Sequence, residues 1–332
     1  MCIWGYKNMS KTKTLLTNLK NRFTFNSKKE LVDFFVRIFF FLATIISASF
    51  IIIIIFFIAR EGIKPFVTDN NGIGRVDVIR FLMGDTWLQG TVFQSNLYGV
   101  GFIIINTVYI ALLSLSISMP IGVLTALFIA KIAPKRLSEI LRTTVELLAA
   151  IPSIIYGLFG SGIILQLVYN FAKLFGIQSS GGNSVMATVL VLSLMILPTI
   201  TALSEVAIRS VRKDIIHGSL ALGATKTQTN FKVVLTSAKS GIFTAAILGT
   251  GRALGEATAV YLVAGNARSG PSLGFFQTTS TLTSTMLQGL KETIGIDYDI
   301  RFSVGIVLMI IILLTNATLN FIKRRVGNVD VK

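Results

Sequence analysis

Residues 245–265 read AAILGTGRALGEATAVYLVAG, and two incompatible folds compete for this run. Its glycines suggest the phosphate-cradling turn of a soluble α/β protein. Its length and apolar character suggest a bilayer crossing. The glycine reading fails on spacing: GTGRALG lacks the dinucleotide fingerprint and follows no strand pattern, and no GxxxxGK[ST] loop occurs in the chain. The run does reach the ~20 predominantly apolar residues that cross the hydrocarbon core. It is therefore a membrane span that happens to carry Arg252 and Glu256.

The rest of the chain agrees. Of 332 residues, 52% are hydrophobic and 14% charged, against about 25% charged in a typical soluble domain. Mean hydropathy is +0.73. Six spans are predicted, at residues 34–59, 102–130, 147–169, 185–204, 242–265 and 302–322. The expected fold class is all-α, a polytopic membrane protein with six transmembrane helices. The first run, FFVRIFFFLATIISASFIIIIIFFIA, is too long for a signal-peptide core, and no small-residue cleavage site follows it. It is expected to be retained. The expected organisation is a basic tail over 1–33, with a short interfacial helix near KKELVDFF, then a membrane domain over 34–332.

Orientation follows from the basic residues. Residues 1–37, 131–146, 205–240 and 323–332 together hold 22 Lys and Arg, whereas the alternate loops hold eight. The positive-inside rule then puts both termini in the cytoplasm. The net charge of +16 is spread through these short flanking segments, which argues against a nucleic-acid surface. Cys2 and His217 are the only residues of their kinds, so no His/Cys metal cluster is expected and no carboxylate spacing suggests a metal.

Charges inside a span are costly: Arg at a helix centre costs roughly 2.5–3.5 kcal/mol on insertion scales. Four residues separate Arg252 from Glu256, so a continuous helix would place them on one face and let them pair. Gly251 and Gly255 form a GxxxG pair on the adjoining face, a close-packing motif. Packing explains the glycines better than the charges. Arg252 is expected to meet a translocating oxyanion through its planar fork of donors, with Glu256 holding it and neutralising it in the empty pore. Pro152 in AAIPSIIYG is a kink, serving as hinge or as packing. Glu146 reads as an interfacial charge, and the Ser114/Ser118 stripe as polarity between packed helices.

Between the fourth and fifth spans lies SEVAIRSVRKDIIHGSLALGATKTQTNFKVVLTSAKS, residues 204–240. Its apolar spacing predicts two short helices joined by a turn at Gly223–Thr225, lying on the cytoplasmic face. This segment resembles the coupling loop of ABC-importer permeases, the binding-protein-dependent family with the type I, MetI-like fold. That family pattern is Glu-Ala-Ala, three residues, Gly, nine residues, Ile, one residue and Leu-Pro. Here the Gly is Gly223, the Ile is Val233 and the Leu is Leu235. The leading triplet reads His217-Gly218-Ser219 and the final Pro reads Thr236, so the spacing is kept and the Glu is lost. Ala221 and Ala224 flank the turn. The resemblance implies docking of this loop on an ATPase.

FLMGDTWLQG (81–90), ELLAAIPSIIYGLFG (146–160), GRALGEATAVYLVAGN (251–266) and STLTSTM (280–286) are similar to the phosphate-specific PstC-type permease. By that resemblance the chain forms half of a pathway with a PstA-type permease. A PstB-type ATPase dimer and an external phosphate-binding protein complete the system, and inorganic phosphate is the cargo. The residues implicated in translocation are Arg252 and Glu256. The chain itself is then not an enzyme and binds no cofactor, ATP being used by its partners. A permease for molybdate or sulfate, a stand-alone channel or secondary transporter, and an intramembrane enzyme are the other readings. The coupling loop argues against the second, and the scarcity of catalytic groups against the third.

Overall fold

The computed structural model describes residues 28–69, 74–88 and 97–327. Most of the 1–33 tail lies outside them. The chain divides into two units, Met1–Phe57 and Ile58–Lys332. Six helices are long and apolar enough to cross a membrane: Val32–Val67, Gly101–Ile132, Ser153–Leu174, Val185–Arg209, Lys226–Gly255 and Ile296–Arg325.

The first unit is described by helix α1 (Lys28–Val67), which continues into the second. KKELVDFF is the start of this one helix rather than a separate interfacial one, because nothing between it and the span breaks the helical run. Side chains such as Phe39, Phe41, Ile53 and Phe56 are exposed along it, the surface a lipid-facing helix presents.

In the second unit, α2 (Val78–Met83) is capped by Asp77, whose carboxylate accepts from the Arg80 amide. Then α3 (Gly101–Leu127) runs through a π-helical turn, Phe128–Ile132. The remaining helices are α4 (Lys135–Ala150), α5 (Ser153–Phe159) and α6 (Leu165–Leu174), then α7 (Val185–Arg209), α8 (Lys213–Ala221), α9 (Lys226–Gln228) and α10 (Leu235–Gly255), and last α11 (Thr258–Val263), α12 (Leu282–Leu287) and α13 (Ile296–Gly327). Further π-helical segments join α5 to α6 (Gly160–Ile164) and α9 to α10 (Thr229–Val234).

Helix α7 is the axis of this unit. Val191, Leu192, Met195, Ile196, Ile200 and Ile208 along it are all fully buried. Buried apolar residues cluster at successive levels along it, around Ile196 with Ile110 and Leu254, and around Ile208 with Leu127 and Val234. Small residues set the approach of its neighbours. A Cβ on Gly241 of α10 would sit 2.4 Å from the Ala207 Cβ, so no larger residue fits at this crossing. Ser118 Oγ donates to the Ser193 carbonyl at 3.0 Å, and Ser193 Oγ to the Ser114 carbonyl at 3.3 Å. The Ser114/Ser118 stripe is thus helix-to-helix polarity, as its spacing suggested.

At one end, Val76, Phe81, Trp87, Tyr98, Phe102, Leu282 and Ile300 form a separate core under the long loops. Tyr98 donates its hydroxyl to Asp297 at 2.6 Å. Burial first, then the Asp297 carboxylate, push this phenol well above its ordinary range, so it stays protonated and donating. Arg301, 1% exposed, donates to the carbonyls of Asp297, Thr285 and Met286 and to that of Gln288. It thereby satisfies the carbonyl end of α12.

At the other end, Glu205 is buried and takes a 2.6 Å hydrogen bond from Arg209 Nε. The Arg209 Nη2 reaches Ser138 Oγ of α4 at 2.9 Å, and Ser138 Oγ donates to the Ile129 carbonyl at 2.8 Å.

Two expected spans are interrupted. Residues 147–169 are not one helix: α4 stops at Ala150 and Pro152 stands as the N-cap residue of α5. Pro152 is therefore a boundary and not a kink within a helix, because its ring disfavours the α conformation in the residue before it; Ile151 is extended, with ψ 127°. Glu146, on α4, pairs at the surface with Arg142 at 2.9 Å. Residues 242–265 are also broken. Helix α10 ends at Gly255, Glu256 is extended (φ −76°, ψ 118°), and the chain restarts as α11.

Candidate functional site

The break at Gly255–Glu256 decides what the intramembrane charges do. Had the helix continued, Glu256 would lie one turn above Arg252. Its extended backbone instead turns the carboxylate toward α11, where Oε1 accepts from the Ala259 amide at 3.0 Å. It thus caps a helix start that has no other side-chain cap. The expected Arg252–Glu256 ion pair is absent among the described residues. The GxxxG expectation is corrected as well. A Cβ on Gly251 or Gly255 would meet nothing within 4 Å, so no helix among the described residues packs on that face. Tightly packed glycines include Gly241, Gly249, Gly122, Gly157 and Gly160.

Arg252 is held from the other side. Its Nη1 donates to Thr199 Oγ1 of α7 at 2.6 Å. Thr199 lies inside the 25-residue α7, roughly 21 Å along the axis from Val185 and roughly 15 Å from Arg209 at 1.5 Å per residue. The guanidinium is therefore at the middle of a span. Both residues are half-buried. The preceding Pro198 lacks an N–H, which loosens α7 locally. Tyr156 of α5 lies within electrostatic range of Arg252. Beside it is an apolar cavity of about 370 Å³ lined by Ile151, Tyr156, Leu197 and Pro198 among others.

The other strand of the site is α12. Thr281 caps it and accepts from the Ser284 amide at 3.3 Å. Thr283 Oγ1 donates to the Glu256 carbonyl at 2.7 Å, and the Leu282 amide donates to Thr107 Oγ1 of α3 at 3.0 Å. The STLTSTM stretch is thus packed directly against the helix break.

The residues between spans four and five fall where their spacing put them. His217, Gly218, Ser219 and Ala221 are on α8, Gly223 and Ala224 in the turn, Val233 at the end of the π-helical segment and Leu235 at the start of α10. Gly223 has φ +83°, a left-handed conformation that glycine takes without strain. Ile215 (43%) and Leu222 (90%) are exposed apolar residues on the element, and Ser219 Oγ and Thr229 Oγ1 lie 2.9 Å apart and tie its two halves. His217 is exposed and belongs to this surface.

Sequence reasoning missed Thr199 and the Glu205–Arg209–Ser138 cluster. The i, i+4 spacing of Glu205 and Arg209 at a span end was a readable signal for the second. Thr199, a lone hydroxyl after a proline in an apolar run, carried none.

Six apolar helices, a broken fifth span with a fixed cation, and a helix–turn–helix between spans four and five describe a multi-pass membrane protein. The chain belongs to the family of binding-protein-dependent transport system inner membrane components, whose pattern matches residues 118–328. It is 32% identical to the probable ABC transporter permease protein YqgH of Bacillus subtilis, over 96% of this chain and 97% of that one. It is 32% identical to the phosphate transport system permease protein PstC of Mycobacterium leprae, over 61% of this chain and 68% of that one. With PstC 1 of Mycobacterium tuberculosis it shares 29% identity over 79% and 86%. In fold it is similar to a chain of a bacterial alginate ABC transporter (TM-score 0.57, 19% identity, covering 86% of this chain and 95% of that one). A chain of the MetNI methionine ABC transporter is also similar in fold (TM-score 0.52, 20% identity, 68% and 94%). Membership makes the chain a multi-pass permease subunit and implies an ATPase and a substrate-binding protein as partners.

Proposed function

We propose that this chain is the PstC-type subunit of an ATP-driven phosphate importer in the cytoplasmic (inner) membrane, with both termini in the cytoplasm. A PstA-type permease supplies the other half of the pathway. Two PstB-type ATPases dock on the permease coupling loops, here the 205–240 segment around Gly223, and an external phosphate-binding protein delivers the ion. ATP is bound and hydrolysed only on the partner subunits. The PstC names of several relatives support the cargo.

The observation that carries the reading is Arg252. It is a guanidinium at mid-span whose one hydrogen bond among the described residues goes to a neutral hydroxyl. An unneutralised cation in this setting is costly and is repaid when an anion arrives. Its remaining N–H groups suit a tetrahedral oxyanion. Glu256, one residue beyond the helix break, shapes the site through the backbone and limits how tightly an anion binds, since a transport site must release its cargo.

The test is ATP-dependent uptake of labelled phosphate into vesicles holding the complete four-component system. Arg252→Gln is expected to abolish uptake while the complex still assembles, and excess sulfate or molybdate is expected not to compete with wild-type uptake. Normal uptake by the variant sinks the role of Arg252, and competition by the other oxyanions sinks the cargo.

A further inference from the structure

We infer that Thr199 is a second anion-contacting residue: it accepts from Arg252 and presents its own hydroxyl proton to the same bound oxyanion. The inference rests on the reading of Arg252 given above. It starts from a missing bond. Several buried threonines in the spans of this chain spend their proton on the carbonyl one turn back: Thr107 on Ile103, Thr201 on Leu197 and Thr250 on Ala246. For Thr199 that carbonyl belongs to Met195, and no such bond forms. The hydroxyl oxygen instead accepts from Arg252 Nη1 at 2.6 Å. Its proton has no acceptor among the described residues.

A hydroxyl carries one donor and two lone pairs. Accepting from a cation polarises its O–H and makes it a better donor, since linked hydrogen bonds reinforce one another. Donation back to a guanidinium is impossible, because that group has no acceptor. The proton is therefore available to an acceptor from outside the chain. The nearest ligand chemistry is an oxyanion placed on the free N–H groups of Arg252, where one oxygen falls within reach of both donors. Glu256 cannot take this part, since its carboxylate faces the Ala259 amide. Thr199 also fixes the guanidinium plane, which leaves less rotamer freedom to lose when the anion binds.

The experiment is protection of Arg252 from phenylglyoxal, read by mass spectrometry of the labelled peptide in membranes holding the complete transporter. Phosphate, sulfate and molybdate are each titrated as protectants against wild type, Thr199→Val and Thr199→Ser. Valine matches the shape of threonine without its hydroxyl, and serine restores the hydroxyl. Losing a hydrogen bond to a charged group weakens binding by about tenfold or more. The phosphate concentration for half-protection is expected to rise by that factor in Thr199→Val and to return to within about twofold of wild type in Thr199→Ser. Half-protection of Thr199→Val at the wild-type concentration overturns the contact and leaves the phosphate reading intact. Protection by sulfate or molybdate alone, with the same dependence on Thr199, overturns the phosphate reading and supports the contact. Failure of every oxyanion to protect wild type overturns both.

Discussion

Replacing Gly241 and Gly251 separately by alanine separates two accounts of how α10 packs. The sequence motif assigns close packing to Gly251 and Gly255, whereas the structure assigns it to Gly241. A methyl on Gly241 would lie 2.4 Å from the Ala207 Cβ and 3.5 Å from its Cα. Carbon atoms rest about 3.5–4.0 Å apart. Helices α7 and α10 must therefore separate by about 1 Å at this crossing, at the roughly 1–3 kcal/mol typical of overpacking. A methyl on Gly251 meets nothing within 4 Å. Both positions lie inside the helix Leu235–Gly255, so both gain up to about 1 kcal/mol of helix propensity. That gain cancels in the comparison, and the difference between the variants is the clash alone, roughly 1–3 kcal/mol. The assay is reversible unfolding of the isolated chain in mixed micelles, titrated with dodecyl sulfate and followed by circular dichroism. Gly241→Ala is expected to unfold at lower denaturant than Gly251→Ala, which should match or exceed wild type. Equal destabilisation by the two refutes the reasoning and returns the packing role to the GxxxG face.

Arg209→Met leaves the buried Glu205 carboxylate without its cation, so the same titration should show a loss of about 3–5 kcal/mol, part of it recovered by adding Glu205→Gln. Gly223→Ala forces a side chain into φ +83° at about 1–2 kcal/mol. No steric contact is affected, so limited proteolysis between α8 and α9 should accelerate while global unfolding stays unchanged. Tyr98→Phe removes the 2.6 Å donor to Asp297 and should cost about 1–3 kcal/mol in the unfolding titration.

The spans were legible because apolar length is a one-dimensional property. All six appear, and the Gly223 turn falls where residue spacing put it, since a left-handed turn has few residues to choose from. What misled was periodicity carried across a break. Arg252 and Glu256 share a face only while the helix continues, and two glycines in its last turn together with the capping demand of α11 end it between them. Pro152 in an apolar run predicts a bend, whereas here it marks a full break between two helices. Thr199 lay beyond reach for a different reason: its role depends on which helix crosses α7 at that level, and a single chain of letters does not carry that pairing. The glycines erred similarly, because GxxxG reports a face that can be approached, not one that is.

The Glu205–Arg209–Ser138 cluster bears on how movement enters the membrane. Parting α4 from the end of α7 would strip Arg209 of the Ser138 hydroxyl and open the buried Glu205 to an incomplete shell. That cost ties the two helices into one piece, and the loop between spans four and five joins it at Val211, which is buried in an apolar cluster with Ile208 and Leu127. If partner ATPases dock on α8 as proposed, their push would reach α7 through this piece, and the first loosened joint along α7 is the proline beside Thr199. The stroke of a distant motor would then arrive as a change in the grip on Arg252.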